Sequence, residues 1–430
     1  MPAGKIPLHE MIKVDSRFHR SVHLERDYYT PYAAAGYVVT RASREAQALL
    51  SRGVHQAPYR AQCILGPYGS GKSALALYFA HLMSDRADTQ LREQALAVVG
   101  DAAADIIPNH GAGYLTILAT GTRENMGACL VRGLVRSLQR AGRNDLLASL
   151  QKANASVFQS IRPSAREVTS VFESLARLAV EKDGVLGVVV IIDELGKLLE
   201  HAAQYPEDGD VQALQELAEA AARSIDYPPW FVTILHRSFQ EYAARVGRRH
   251  VQEWARVQGR FYPVPFSLDV VDSLQLVAGA LQGGCSDEIR RNRHVTRVIE
   301  SCVAYAPKEA REVFVEKALA SYPLHPLTLL NLPGLFKRMG QNERSLFSFL
   351  AADEPHSLLD WLRNREFDPD DPPFLRLPEL CDYVQHTLVS GAPMLSVAQT
   401  WAEIEEAIAR LDGAGLELDV LKTVAILGLV

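Results

Sequence analysis

The chain has 430 residues, of which 48% are hydrophobic and 22% charged, a composition typical of a soluble globular protein with two or three domains. Its net charge of −6 excludes a general attraction to nucleic acid, so any such contact needs a local basic patch. No apolar run of about 18 residues is present to span a membrane, and five widely spaced cysteines without a C-x-x-C pair favour reduced thiols and a cytoplasmic location.

Residues 1–53 are expected to form an N-terminal arm, followed by a first strand and helix that pack on the core. The arm, 1–35, is polar and irregular. Residues 36–40 are a short β-like run, and 41–52 carry apolar residues at helical spacing. This region is therefore predicted to lie against the domain that begins at residue 54.

A motif of the form G-x-x-x-x-G-K-[ST] lies between an apolar run, 61–65, and a helical run, 74–83. A strand, a glycine-rich loop and a helix in this order are the context of a P-loop, in which backbone N–H groups cradle phosphate oxygens. Lys72 is predicted to reach the β- and γ-phosphates, and the Ser73 hydroxyl to bind Mg²⁺. The alternative is a glycine-rich turn that binds no ligand. The residues predicted to bind nucleotide are Gly66, Pro67, Tyr68, Gly69, Ser70, Gly71, Lys72, Ser73 and Ala74.

The next strong signals are two further strand-like runs. Residues 113–120 form one, with a polar exit at the sheet edge where ligands bind in such folds. The run 187–192 (GVVVII) predicts a strand buried on both faces, and it ends in the carboxylates Asp193 and Glu194. Downstream of a P-loop this pair is typical of a Walker B motif, in which Asp193 holds the Mg²⁺ shell and Glu194 polarises the attacking water. The alternative is that the pair only caps the following helix.

Another buried strand, 230–235, ends at His236, our candidate for a side chain that hydrogen-bonds the γ-phosphate or the attacking water. Arg260 then precedes a proline-interrupted run, 261–266, which predicts a short edge strand. Residues 54–267 are therefore predicted to form an α/β core around a parallel sheet.

From residue 268 onward the pattern is helical, without a long β-branched run. Residues 268–366 are predicted to form an all-helical lid. Residues 367–430 are predicted to be a further helical segment, the start of a winged-helix or other C-terminal domain, with the linker-like stretch PDDPP at 369–373. Because the last ten residues are apolar and lack a polar cap, we expect the chain to be the N-terminal part of a longer protein.

Strands that end in a P-loop, a Walker B pair and a polar sensor position, followed by a helical region, resemble an AAA+ ATPase of the initiator-like branch. A narrower group is also similar: the large ATPases of bacterial phage-defence islands, of the BREX and phage-growth-limitation type. The segments that carry this resemblance are GPYGSGKS, IIDELGKLLE, ILHRSF, 322–326 (YPLHP) and 341–350. The broad resemblance to AAA+ ATPases covers about residues 20–365, whereas the narrower one rests on these short segments. It implies a P-loop NTPase core of AAA+ type, a helical lid and a further helical C-terminal region.

The resemblance also implies roles for three residues outside the P-loop and the Walker B pair. His236 occupies the sensor position, where Asn, Ser or Thr is commoner. Arg260 corresponds to an arginine finger donated to a neighbouring subunit's nucleotide. Arg344 is our choice for the second sensor arginine, which reaches the γ-phosphate from the lid, and Arg338 is its rival. For each arginine the alternative is an ordinary solvated side chain.

The predicted function is Mg²⁺-dependent ATP hydrolysis coupled to a change of conformation or oligomeric state, with ATP and Mg²⁺ as ligands. The residues predicted to be catalytic are Lys72, Glu194, His236, Arg260 and Arg344. The resemblance implies the ATPase component of an anti-phage defence system, a homo-oligomer assembled through the ATPase core, and other defence-system proteins as partners. No membrane association is expected.

Three other functions stay open at this point. One is a slow, nucleotide-gated assembly switch, and another is a small-molecule kinase, against which the large helical region and the acidic pair argue. The third is a DNA-acting loader or translocase, for which local basic sequence is the support, although a solvated helix face is the favoured explanation of that sequence. The basic residues concerned are Arg245, Arg248, Arg249, Arg290, Arg291, Arg293, His294 and Arg297.

Overall fold

The computed structural model describes residues 5–15, 22–30, 36–85, 93, 113–208, 210–224, 226–227, 229–243, 248–284, 286–339, 346–389, 395–411 and 415–430. The chain divides into two compact units. Val22–Ser267 form the first, called the α/β unit here, and Met1–Ser21 with Leu268–Val430 form the second, called the helical unit. The division after residue 267 coincides with the predicted end of the α/β core.

Five strands form one parallel sheet in the α/β unit, and four two-residue strands form two antiparallel pairs in the helical unit. The strands are β1 (Ile6–Pro7), β2 (Lys13–Val14), β3 (Ala61–Leu65), β4 (Tyr114–Thr120), β5 (Gly187–Asp193), β6 (Pro229–Leu235), β7 (Tyr262–Pro265), β8 (Leu281–Gln282) and β9 (Glu366–Phe367). The order of the large sheet is β4-β5-β6-β3-β7. This confirms the strands predicted from residue 61 onward, including β7 as an edge strand.

The α-helices of the described residues are numbered in chain order. They are α1 (Leu8–Met11), α2 (Leu24–Asp27), α3 (Arg41–Leu50), α4 (Arg52–His55), α5 (Lys72–Met83), α6 (Met126–Arg140), α7 (Asn144–Ala153), α8 (Ala155–Gln159), α9 (Ala165–Asp183), α10 (Leu195–Gln204), α11 (Gln212–Arg223), α12 (Phe239–Ala243), α13 (Arg248–Gln258), α14 (Val270–Ala280), α15 (Asp287–Arg291), α16 (Arg293–Cys302), α17 (Arg311–Ala320), α18 (Pro326–Met339), α19 (Leu346–Ala351), α20 (Leu358–Arg363), α21 (Leu377–Val389), α22 (Leu395–Arg410) and α23 (Leu416–Leu429). None of them is long and apolar enough to cross a membrane.

Two inner strands of the sheet, β5 and β6, are completely buried. All seven residues of β5 and of β6 are buried, because each strand has a neighbour on both sides and helices pack against the sheet. The apolar face of α9 is buried, and Phe172 meets Phe231 of β6 edge to face, with ring centroids 5.7 Å apart. Because all five strands run parallel, their carboxyl ends lie at one edge of the sheet, which is where β3, β5 and β6 deliver the predicted site residues.

The predicted β-like run 36–40 forms no strand, which corrects the expected first strand. Thr40 is instead the N-cap of α3. Its backbone N–H donates to the Ser43 hydroxyl at 2.8 Å, and its own hydroxyl accepts from the Ser43 N–H at 3.2 Å. A backbone donor committed to a capping box is not available to a sheet ladder.

The first residues of the chain belong to the helical unit, so the region 1–53 is divided rather than forming one arm on the core. Two short pairings account for this. Ile6 pairs with Phe367 through β1 and β9, and Lys13 pairs with Gln282 through β2 and β8. These contacts span hundreds of residues along the chain, which is why local composition did not reveal them.

One hydrophobic core runs through the helical unit and includes residues on both sides of the predicted boundary at 366/367. Phe367, Tyr383 and Ile426 are buried in the same cluster as Phe314. The linker-like stretch 369–373 is part of this unit, and the Pro373 carbonyl accepts a hydrogen bond from the Tyr322 hydroxyl at 2.9 Å.

Candidate functional site at the carboxyl edge of the sheet

The glycine-rich loop joins β3 to α5, as the motif requires. Gly69 and Gly71 have φ values of 71° and 87°, in the left-handed region that glycine adopts without a steric cost. A Cβ atom on Gly66 would lie 1.8 Å from the Phe266 carbonyl oxygen, so no side chain fits there. The loop conformation therefore depends on glycine at three of its positions, and Gly71 is the N-cap of α5.

Lys72 is the first residue of α5, and its side chain folds back into the loop. Its ammonium group donates to the carbonyl oxygens of Gly66 at 2.8 Å and Pro67 at 2.5 Å, and the residue is only 3% exposed. Burial lowers the pKa of Lys72 to about 8, against the opposing effect of the Asp193 and Glu194 charges. The lysine is therefore a buried cation at the mouth of a helix N-terminus, where anions bind.

Ser73 and Asp193 lie next to each other and offer oxygen ligands. Asp193 ends β5, and its carboxylate accepts a hydrogen bond from the Ser73 hydroxyl. Burial raises the pKa of Asp193, while Ser73, the Glu194 N–H and Lys72 act to lower it. Hydroxyl and carboxylate oxygens are what Mg²⁺ prefers, and in nucleotide sites it takes few protein ligands beside phosphates and water. The two residues therefore fit a Mg²⁺–nucleotide complex.

Glu194 occupies the N-cap position of α10 but does not cap it. Its side chain makes no capping hydrogen bond, and its backbone lies in the left-handed region with φ 53° and ψ 33°. The carboxylate lies 3.5 Å from the Lys197 ammonium and is one-third exposed. The alternative role as a simple helix cap is not supported by this geometry, and the carboxylate stays accessible at the sheet edge.

The end of β4 is attached to this edge through its backbone. The Gly121 N–H donates to the Asp193 carbonyl at 2.8 Å, and a Cβ on Gly121 would lie 2.4 Å from the Glu194 carbonyl oxygen. The Thr120 hydroxyl is buried there, and none of the described residues forms a hydrogen bond with it. Glu124 pairs with Arg132 of α6. The strand end thus fixes the position of the two acidic residues.

His236 follows β6 directly and lies beside the P-loop. Its ring stacks on the Tyr68 ring, with centroids 3.5 Å apart and an interplanar angle of 19°. Its Nδ1 is buried and has no hydrogen-bond partner in the part of the chain that the structure describes. Burial, with the charges of Lys72, Lys197 and Arg237, lowers the pKa of His236 to about 3, so the imidazole is neutral at physiological pH.

Arg260 lies at the other edge of the sheet. It precedes β7, which runs parallel to β3, so it is at the amino end of the strand whereas the P-loop is at the carboxyl end. Its guanidinium lies 3.3 Å from Glu219 and is 54% exposed. The structure therefore does not bring Arg260 to the P-loop of its own chain. A cavity of about 520 Å³ opens beside it, lined by Val211, Gln212, Gln215, Glu253, Arg256, Val257, Gly259 and Arg260.

The predicted lid arginine, Arg344, lies outside the described residues. Its rival Arg338 is exposed near the end of α18. Of the basic residues considered for DNA, Arg245 and the side chains of Arg248 and Arg249 are also outside the description, whereas the group on α15 and α16 is exposed throughout.

Sequence reasoning did not predict the side-chain contacts of two aromatic residues at the site. Tyr68 stands at a variable position of the motif, so only its backbone was expected to matter. Tyr242 lies against α10, and a Cβ on Gly196 would lie 2.4 Å from its hydroxyl. The signal for Tyr242 was its place in the segment that begins with ILHRSF.

No protein-family model matches this chain, and no curated protein matches it. Among solved structures it is similar to the Aeropyrum pernix ORC2 protein, determined as ADPNP–ADP complexes. The identity is 14%, the alignment covers 69% of this chain and 71% of that chain, and the TM-score is 0.36. The sheet order, the P-loop and the acidic strand end of this chain itself define its fold. It is an α/β P-loop NTPase fold with a helical C-terminal region.

Proposed function

We propose that this protein binds Mg-ATP at the carboxyl edge of its sheet and hydrolyses it, as an AAA+-type ATPase. The observation that carries the proposal is the convergence of four side chains there. The Ser73 hydroxyl forms a hydrogen bond with the Asp193 carboxylate, and the charge of Lys72 interacts with the same carboxylate. Glu194 is the residue that follows Asp193 in the chain. A buried cation, a hydroxyl and two carboxylates at one helix N-terminus are the groups that phosphoryl transfer needs.

Each residue has a distinct task in this mechanism. The loop N–H groups and Lys72 bind and orient the β- and γ-phosphates, and Ser73 with Asp193 would hold Mg²⁺, which supplies charge neutralisation when bound. Glu194 orients and polarises the attacking water. Neutral His236 offers a hydrogen bond to that water or to the γ-phosphate. Most of the rate acceleration then comes from positioning and charge stabilisation.

Arg260 is assigned to a neighbouring subunit's site. Because it lies at the opposite edge of the sheet from its own P-loop, it acts on another chain's nucleotide if it acts as a finger. Its guanidinium is half exposed and pairs with Glu219, so it is accessible to such a neighbour. Hydrolysis would then depend on homo-oligomer assembly, since an arginine finger contributes about 10³–10⁵ in rate.

A role in bacterial anti-phage defence is the finer part of the proposal. Its support is the resemblance of the P-loop, Walker B and sensor segments to the ATPases of phage-defence islands. A plaque assay in cells that carry the complete system checks it, with Glu194→Gln as the inactive variant. Equal protection by both proteins would contradict a defence role that depends on hydrolysis.

The decisive experiment for the ATPase compares nucleotide binding with turnover. We expect Glu194→Gln to bind a fluorescent ATP analogue like the parent but to hydrolyse ATP at least tenfold more slowly, because the water loses its polarising group. Glu200→Gln is the matched control, since Glu200 lies on α10 and pairs with Arg123 at the surface. Turnover of Glu194→Gln at the parental rate would overturn the assignment.

A DNA-acting role is the second candidate, favoured by one observation. Five basic residues on α15 and α16 are exposed on the helical unit: Arg290, Arg291, Arg293, His294 and Arg297. Measured affinity for duplex DNA should fall linearly with the logarithm of salt concentration if they contact phosphates, and substitution of Arg293 and Arg297 should reduce that slope by about 2. An unchanged slope would remove this candidate.

A further inference from the structure

The P-loop and the strand that carries the sensor residue are joined by a direct side-chain contact. Tyr68, at the third position of the loop, and His236, at the end of β6, stack face to face at 3.5 Å. β6 lies between β3 and β5, so its end lies between the P-loop and the Walker B pair. A contact at this point links the phosphate-binding loop to the position next to Glu194.

The contact is between two neutral rings. Burial lowers the pKa of His236 to about 3, and burial together with Glu194 and Glu200 raises the pKa of Tyr68. Neither ring therefore carries a charge at pH 7. The attraction is that of an aromatic pair, which depends on the presence and the orientation of both rings.

The stack leaves the Nδ1 of His236 available to another partner. This atom is buried and has no hydrogen-bond partner among the described residues. Tyr68 itself is 44% exposed, which is high for an aromatic residue that serves only as core packing. An exposed ring that stacks on a half-buried imidazole with an unpartnered Nδ1 fits a role in orienting that imidazole.

We propose that Tyr68 is a positioning residue, which holds the His236 imidazole toward the γ-phosphate and the attacking water and transmits movement of the P-loop to β6. This inference rests on the proposed ATPase function and deepens it, because it names how the loop and the sensor are coupled. Phosphate binding by the loop then changes the orientation of His236 through the Tyr68 ring. Tyr68 itself takes no part in bond making.

Steady-state kinetics with a double-mutant cycle tests the coupling. We expect Tyr68→Ala to lower kcat for ATP about 3- to 10-fold, which is the rate change that corresponds to the interaction free energy of one aromatic pair. KM should stay within about twofold of the parental value. Tyr68→Phe, which keeps the ring, restores most of the parental kcat. In the His236→Ala background, Tyr68→Ala should have no further effect, because the residue it orients is gone. Additive losses in the double variant would overturn the proposal, as would a loss confined to KM.

An NMR measurement tests whether the Tyr68 and His236 rings stack, and it does not depend on ATP turnover. In protein labelled with ¹³C-histidine, the His236 ring resonance is identified by its loss in His236→Ala. This resonance should move downfield in Tyr68→Ala and keep its position in Tyr68→Phe. It should also keep its position in the control Tyr305→Ala, which removes a 70% exposed ring of the helical unit. In the parent protein it should shift on addition of Mg-ADP. An unmoved resonance in Tyr68→Ala would overturn the stack. If the parent shows no hydrolysis while these shifts occur, the proposed ATPase fails but the coupling of nucleotide to His236 stands.

Discussion

Glu194 donates its backbone N–H to the Oδ1 of Asp193 at 2.8 Å, and it does so from the left-handed conformation, with φ 53°. This hydrogen bond fixes the Asp193 carboxylate while the strand turns sharply into α10. A left-handed conformation costs a residue other than glycine about 1 kcal/mol or more. Such strain persists where the surroundings enforce it, and it is concentrated at functional sites.

The strain at residue 194 should be separable from its chemistry. Asn tolerates the left-handed region better than Glu, so Glu194→Asn is expected to raise the free energy of unfolding by about 0.5–1 kcal/mol while hydrolysis is lost. Chemical denaturation followed by circular dichroism measures the first effect and phosphate release the second. Glu200→Asn, the same change inside α10, should be destabilising because Asn is a poor helix former. A destabilised Glu194→Asn would show that no strain is relieved.

Replacing Lys72 by Met should weaken nucleotide binding strongly with little effect on the fold. The ammonium is buried at a cost, and it makes two hydrogen bonds that offset this cost, so the free energy of unfolding should change by no more than about 1 kcal/mol. Loss of charge-assisted contacts to phosphate should weaken nucleotide affinity about 10- to 100-fold. Isothermal titration with Mg-ATP and thermal unfolding provide the measurements. Lys182→Met, at an exposed position of α9, is the control, and unaltered affinity in Lys72→Met would contradict the P-loop assignment.

Mixing two inactive variants should restore activity if Arg260 acts between subunits. Arg260→Ala keeps its own P-loop, and Lys72→Met keeps its arginine, so mixed assemblies contain complete sites that neither variant has alone. ATP turnover of the equimolar mixture should exceed the mean of the two separate samples several-fold. Arg256→Ala, which alters the same cavity, should retain activity by itself. A mixture no more active than its components would show that Arg260 does not complete a neighbour's site.

Acid should destabilise the helical unit through His325. Its Nδ1 accepts a hydrogen bond from the Leu327 N–H at 3.2 Å, which requires an unprotonated nitrogen, and burial with Arg376 lowers its pKa to about 4. Because the folded pKa is below the unfolded value of about 6.5, the unfolded state binds the proton first. Stability from this residue is complete above pH 6.5 and declines as the pH falls toward 4.

The test of this pH dependence is His325→Asn, in which Oδ1 replaces the accepting nitrogen without titrating. The thermal midpoint of the parent should fall more between pH 7 and pH 5 than that of the variant. His9→Asn, which changes an exposed histidine, should follow the parent. Identical pH profiles for parent and His325→Asn would exclude His325 as the source.

The sequence by itself determined the local parts of this protein. The spacing from Gly66 to Ser73 specified a strand–loop–helix unit because glycine adopts the left-handed backbone angles of Gly69 and Gly71 without a steric cost. The β-branched run before Asp193 specified a doubly buried strand, since such a run needs apolar neighbours on both faces. These signals lie within a few residues of each other, so they can be recognised without the fold.

Only the tertiary structure decided which distant residues meet. The stack of Tyr68 on His236 joins residues that are far apart in the chain, and it depends on the order in which β3 and β6 pair. The opposite placement of Arg260 follows from the parallel direction of β7, and the attachment of residues 6–14 to the helical unit follows from pairing with β8 and β9. Strand pairing depends on burial summed over the whole core, and no local pattern encodes that sum.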